Sequence, residues 1–207
     1  MPIDYRIHTS FKIQVPNFYS NYLSQVYPNI LPCKNKNDGR YDGLKGKYTY
    51  LITINLYNNE DILPGMMHNL LKVIDSYLTK EKVYVRVYES GSTDKTKKIL
   101  KDFYKLMTTM EINFEIETSP LVKNDVYMNR IDYLVYIRNY AMRPLVYNRL
   151  KVDYVLFLND IYYCYYDLLE LIHQQVLNGA HLVGGMDYMY LNRYERLLFY
   201  DSWVISY

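Results

Sequence analysis

Apolar and polar positions fall into two alternating kinds of segment from Tyr48 onward. "YTYLITIN" (48–55), "KVYVRVYE" (82–89), "INFEIE" (112–117) and "DYVLFL" (153–158) are short runs rich in β-branched and aromatic residues, and they read as strands. Between them the apolar period lengthens. "LPGMMHNLLKVIDSYL" (63–78) carries Met66, Met67, Leu70, Leu71, Ile74 and Tyr77 at helical spacing, with Pro64 in a first turn. "DKTKKILKDFYKLM" (94–107) places Ile99, Leu100, Phe103, Leu106 and Met107 on one side. "RIDYLVYIRNYAMRPL" (130–145) predicts a third helix that Pro144 terminates or kinks. "DLLELIHQQVLNG" (167–179) predicts a fourth, with Gly179 as its C-cap. "HLVGGMDYMY" and "LFYDSWVI" are two further strand candidates. Residues 1–47 lack either period, and "PCKNKNDGRYDGLKGK" is loop chemistry, so this part predicts an irregular N-terminal arm ahead of a domain spanning 48–207.

Strand alternating with helix implies βαβ units, an α/β fold and a mostly parallel sheet flanked by helices. Ligands of such sheets sit beyond the carboxyl ends of the strands. Three polar clusters fall there: Asn55 leading into "YNNED" with Asn58, Glu89 leading into "SGSTD" with Ser92 and Asp94, and Asn159 with Asp160. Each has an ordinary alternative. Ser92 or Asp94 suits the cap of the second helix, with Gly91 supplying the turn. Asn159 and Asp160 suit a turn, with Asp160 or Asp167 capping the next helix. Glu89 at a strand tip is harder to explain as a cap, and it suits a nucleoside hydroxyl or base. Arg138 lies in an otherwise apolar helical run, where it either pairs with phosphate or snorkels to solvent. Asp160 suits Mg2+ or Mn2+, which proteins often hold by one or two carboxylates plus substrate phosphates. Asp187 and Asp201, each in apolar surroundings, suit a base or a partner for an acceptor hydroxyl, and turns explain them equally well.

Composition narrows the partners. Of 207 residues, half are hydrophobic and 22% charged, which predicts one globular domain. A formal charge of +2 with dispersed basic residues gives no electrostatic case for nucleic acid. The 27 tyrosines read as compositional bias. Cys33 and Cys164 show no framework or zinc spacing, and two unpaired thiols are expected. No apolar run reaches a membrane span and the start is too polar for a signal core, so a soluble chain is expected.

With those residues set out, the chain resembles the fungal capsule-associated α-1,3-mannosyltransferase family. The matching stretches are "NLYNNEDILP", "VYESGSTDKTKKIL", "IDYLVYIRNYAMRPL", "VLFLNDIYYCYYDLLELI", "GGMDY" and "FYDSWV", in that order over roughly residues 48–204. The resemblance implies a GT-A type fold with a single Rossmann-like domain, a GDP-mannose donor, and transfer of mannose to a carbohydrate hydroxyl with retention. It implies that Asn55, Asn58, Glu89, Ser92, Asp94 and Asn159 serve the nucleotide sugar, that Arg138 lies near the diphosphate, and that Asp160 serves the metal. Asp187, Asp201 and Trp203 would stand on the sugar and acceptor side. The metal motif of such enzymes usually has two acids, whereas Asp160 is followed by Ile161 and Tyr162, an Asn-Asp form that the family shares. Relatives are usually Golgi membrane proteins, which implies the Golgi or another secretory-pathway lumen; the chain as given shows no signal or anchor, which leaves the cytoplasm as the alternative. Relatives also run on past the tryptophan, so a chain truncated at its C-terminus is expected, one that binds GDP-sugar but transfers poorly. The alternatives are a non-catalytic relative that binds a nucleotide sugar or a partner glycosyltransferase in glycan assembly, and a nucleotidyltransferase. The lack of a Gly-rich, Lys-containing phosphate loop counts against the latter.

Overall fold

The structure, a computed structural model, describes residues 18–31, 33–34, 39–119, 129–147, 149–186, 188–191 and 196–199. Four strands, β1 (Tyr50–Leu56), β2 (Val83–Glu89), β3 (Asn113–Thr118) and β4 (Tyr154–Leu158), form one parallel sheet in the order β3-β2-β1-β4. The α/β architecture read from the alternating pattern is therefore the one observed. β1 is central and buried along its whole length, which explains its unbroken apolar run. Near the end of the chain a separate antiparallel pair forms, β5 (Tyr188–Leu191) with β6 (Arg196–Phe199); the two strand candidates overlap it only in part, since 181–186 are not strand and 200–205 lie outside the described residues.

Strand alternation divides the sheet into two faces. Tyr50, Ile52, Ile54 and Leu56 of β1, with Val83, Val85 and Val87 of β2, enter the main core. Helices α2 (Leu63–Lys72), α3 (Thr96–Thr109) and α6 (Tyr165–Asn178) cover that face. α2 continues through a π turn over Val73–Tyr77. The opposite face receives α4 (Arg130–Ala141), which packs Tyr133, Ile137 and Ala141 against Tyr88. Pro144 does break this helix: α4 stops before Met142, and a single turn, α5 (Arg143–Val146), follows. Gly179 ends α6 at φ 57°, the left-handed cap expected of it.

Two expectations are corrected. The arm before residue 48 is not irregular throughout, because Phe18–Val26 form a helix, α1, with Tyr19 and Leu23 in the main core. Two and a half turns carry little stability of their own, so this helix exists by docking rather than by a legible period. Burying Leu23 alone contributes roughly 1.5–3 kcal/mol. Tyr22 and Tyr27 add hydroxyls that donate to Asp102 of α3 at 3.2 and 2.8 Å. The cysteines are not free thiols: Cys33 and Cys164 form a disulfide with a Cα–Cα distance of 5.7 Å. A sequence separation of 131 leaves no local pattern that would reveal the pairing.

Candidate functional site

The order β3-β2-β1-β4 has a geometric consequence. The chain moves outward from β1 to β2 and β3, then returns to the other side of β1 as β4. Crevices in open α/β sheets form beyond the carboxyl ends of the strands at such a reversal. Register pairs Leu56 with Glu89 on one side of β1, and Ile54 with Leu158 on the other. Glu89 closes β2, and Asn159 and Asp160 follow directly on β4, at the same carboxyl edge of the sheet as Asn55. The three predicted tips do share one edge.

Their surroundings differ. The loops after β1 and β2 are zipped together. The Asn58 N–H donates to Ser92 Oγ at 2.9 Å, and the Thr93 N–H donates to Asn58 Oδ1 at 2.9 Å. The Glu60 N–H donates to Asp94 Oδ2, and the Lys95 N–H returns to Glu60 Oε2, both at 2.9 Å. Asn59 donates its N–H to Thr96 Oγ1 at 2.8 Å. Asn58 at φ 52° and Gly91 at φ 85° take the left-handed turns this pairing needs. Glu89 is wholly buried; Oε1 accepts the Ser92 N–H, while Oε2 has no hydrogen bond and lies 3.9 Å from Lys97 Nζ. Asn58, Ser92 and Asp94 therefore hold the edge in shape with the very atoms that the sequence suggested for a ligand.

Burial raises Asp94, but the Thr96 hydroxyl, the Thr96 and Glu60 N–H groups and its own N–H outweigh it and hold the carboxyl below its ordinary value. A depressed folded-state value means the stabilisation is complete above the ordinary carboxylate range and fades as pH falls through the folded value. Wild-type chain should therefore lose more melting temperature than Asp94→Asn between about pH 6 and pH 3. Parallel curves in a calorimetric pH series would show that the latch is not charge-dependent.

A second group of side chains is uncommitted. Asn159 and the exposed Asp160 form no hydrogen bond or ion pair among the described residues, and neither does Arg138. Arg138 projects from α4 toward β4, its guanidinium 5.9 Å from the centre of the Phe157 ring. Asn55, 9% exposed, leaves Oδ1 unbonded on the face that α4 covers. Asn129 positions this helix by accepting the Asp132 N–H at its start. Among the described residues no three His, Cys, Asp or Glu side chains cluster as a metal cage. One uncommitted carboxylate beside an amide nevertheless suits Mg2+ or Mn2+, which take remaining ligands from phosphate and water. Asp187, Asp201 and Trp203 lie outside the described residues.

Sequence reading missed what braces Asp160. Asp167, one of the two capping candidates, accepts the Cys164 N–H at 2.8 Å, which leaves Asp160 out of the cap. The Tyr162 hydroxyl donates to the Leu31 carbonyl at 2.8 Å, next to the disulfide. Asn69, 1% exposed in α2, accepts the Tyr165 N–H at 3.0 Å and donates to the Gly65 carbonyl at 2.9 Å. A Cβ at Gly65 would stand 3.0 Å from Cε2 of Tyr162, so the small residue lets the ring lie on the helix. A polar residue inside an apolar helical stripe was the available signal for Asn69; the arm contacts had none. Among the described residues no helix is long and apolar enough to cross a membrane.

A family model described as Cryptococcal mannosyltransferase 1 matches residues 49–206. An alpha-1,3-mannosyltransferase, CMT1, of Cryptococcus neoformans var. neoformans serotype D is 32% identical over 184 residues. That match covers 84% of this chain and 37% of the relative's length. Among solved structures, S. aureus TarS 1-349 in complex with UDP aligns with a TM-score of 0.40 and 17% identity, covering 68% of this chain and 40% of that one.

Proposed function

Because the chain belongs to the Cryptococcal mannosyltransferase 1 family, we propose that it acts as a glycosyltransferase of GT-A type, moving mannose from GDP-mannose to a carbohydrate hydroxyl in α-1,3 linkage. The observation that carries this reading is the uncommitted trio Arg138, Asn159 and Asp160 at the order reversal of the sheet. In this reading the sugar–diphosphate bond breaks, the acceptor oxygen takes its place on the anomeric carbon, and the hydroxyl proton passes to a base. Positive charge grows on the sugar and negative charge on the departing diphosphate. Arg138 opposes the latter with a planar fork suited to phosphate oxygens. Asp160, with Asn159, would hold Mn2+ or Mg2+, which when bound supplies a Lewis acid to the diphosphate. The zipped loops keep the edge rigid, so little ordering is left to the moment of binding. Asp187 and Asp201 are the proposed bases, and Trp203 is the proposed acceptor-side wall.

The disulfide supports an oxidising compartment, such as the lumen of the secretory pathway, as the place of work. The test is to incubate purified chain with GDP-mannose, manganese and an α-mannoside, separating glycosylated product from free mannose. Product formation is expected. Binding without product would favour the non-catalytic assembly role, and no binding of GDP-mannose would remove the donor reading.

A further inference from the structure

On the flank of α4 away from Arg138 lies a second polar site. Arg86, in the middle of β2 and only 2% exposed, pairs with Glu115 and donates through its NH2 group to Glu117 at 2.7 Å. The Tyr84 hydroxyl donates to Glu115 at 3.2 Å, and the Tyr140 hydroxyl to Glu117 at 2.5 Å. These strand residues form one side of a cavity of about 230 Å³, closed by Arg143 and Pro144 of α5 and by Arg149 and Leu150 beyond it. Both carboxylates are engaged by Arg86. Arg143 and Arg149 have no ion-pair partner among the described residues. Arg143 lies 4.4 Å from the ring centre of Tyr140 and 5.4 Å from that of Tyr147, hydrogen-bonds the Tyr147 side chain and lies within electrostatic reach of Glu117. Arg149 lies 5.8 Å from the Tyr147 ring centre.

Three guanidinium groups face two carboxylates in this cavity, and Arg143 and Arg149 form no salt bridge among the described residues, so the lining keeps a net positive charge that suits an anion. We propose that it binds a small polyhydroxylated oxyanion: a monosaccharide carrying a phosphate or a carboxylate. Planar guanidinium forks match either group in two-point geometry, and the Tyr140 and Tyr147 rings limit the freedom of the Arg143 fork. Lone pairs of Glu115 and Glu117 not used by Arg86 and the tyrosines accept hydroxyl protons. Pro144, Leu150 and the Tyr84 ring supply the apolar wall that a sugar's C–H face needs. The volume equals roughly seven or eight water molecules, below the usual range for drug-sized ligands. That size matches a monosaccharide. β1 separates this cavity from β4, after which Asn159 and Asp160 follow, so it is a distinct site and does not depend on the donor reading.

The experiment compares glucose 6-phosphate, glucuronate and glucose by calorimetric titration of the purified chain, with and without saturating GDP and manganese. At least one charged sugar should bind, tenfold or more tighter than glucose, and GDP should not compete. The double variant Arg143→Ala, Arg149→Ala should weaken that binding at least tenfold while its circular dichroism stays native, and Arg138→Ala should leave it unchanged. Whichever charged sugar binds identifies the oxyanion. Binding of neither, equal binding of glucose, or loss with Arg138→Ala but not with the double variant would overturn the proposal.

Discussion

Asp160→Asn is expected to remove the manganese-dependent part of GDP-mannose binding and to lower transfer by about 100-fold or more. A cation on a departing diphosphate contributes several kcal/mol of charge stabilisation, and each 1.4 kcal/mol or so is tenfold in rate. Asn keeps the shape of the side chain and one carbonyl acceptor but removes the charge that a hard cation needs. Stability should hardly change, because the carboxylate is exposed and bonds to nothing among the described residues. The readout is thermal. A ligand binding only the folded chain adds roughly 2.7 kcal/mol at a hundredfold excess over Kd. GDP alone should shift wild type and variant alike, whereas GDP with manganese should add a further shift in wild type only. An equal further shift in both would mean that Asp160 does not hold the ion.

That experiment targets a residue legible before any coordinates. A short apolar run ending in Asn159-Asp160 reads as a buried strand with a polar tip, and parallel order forces such tips onto one edge. The strands and the helices α2, α3 and α6 were legible for the same reason: each buries a face wide enough to impose a period, whereas α4 buries only Tyr133, Ile137 and Ala141. The contents of the edge were only half legible. Asn58, Ser92 and Asp94 have ligand-binding chemistry, but the same groups are the best available partners for each other once two loops lie side by side. Sequence gives the chemistry of a polar group and not its occupancy. Arg86 escaped notice because an arginine between valines resembles an exposed strand position. Its partners lie on β3, 29 to 31 residues away, and are found only through the register. Contacts made by docking, such as α1 or the Cys33–Cys164 bond, leave no period at all.

The second large effect belongs to that disulfide. Replacing both cysteines with serine should cost about 2–4 kcal/mol of stability, toward the upper end because the loop it closes is long. At this size each kcal/mol is worth roughly 2–4 °C, so the melting temperature should fall by roughly 4–16 °C. The effect should extend to ligand binding. Cys164 stands four residues after Asp160, and the bond holds the start of α6 to the arm, where Tyr162 reaches the Leu31 carbonyl. Without it, the segment from Asn159 to Cys164 keeps its anchor through Asn69 but loses its outer brace. Donor affinity in manganese should therefore fall more than affinity for GDP alone, since only the former uses Asp160. Using the double variant rather than reductant leaves no free thiol to bind manganese or to cross-link. A change in melting temperature below about 1 °C, well under the range expected for removing such a bond, would show that the arm is held by α1 packing alone. Equal losses for GDP with and without manganese would show that the brace stabilises the sheet edge as a whole, rather than the metal-side loop.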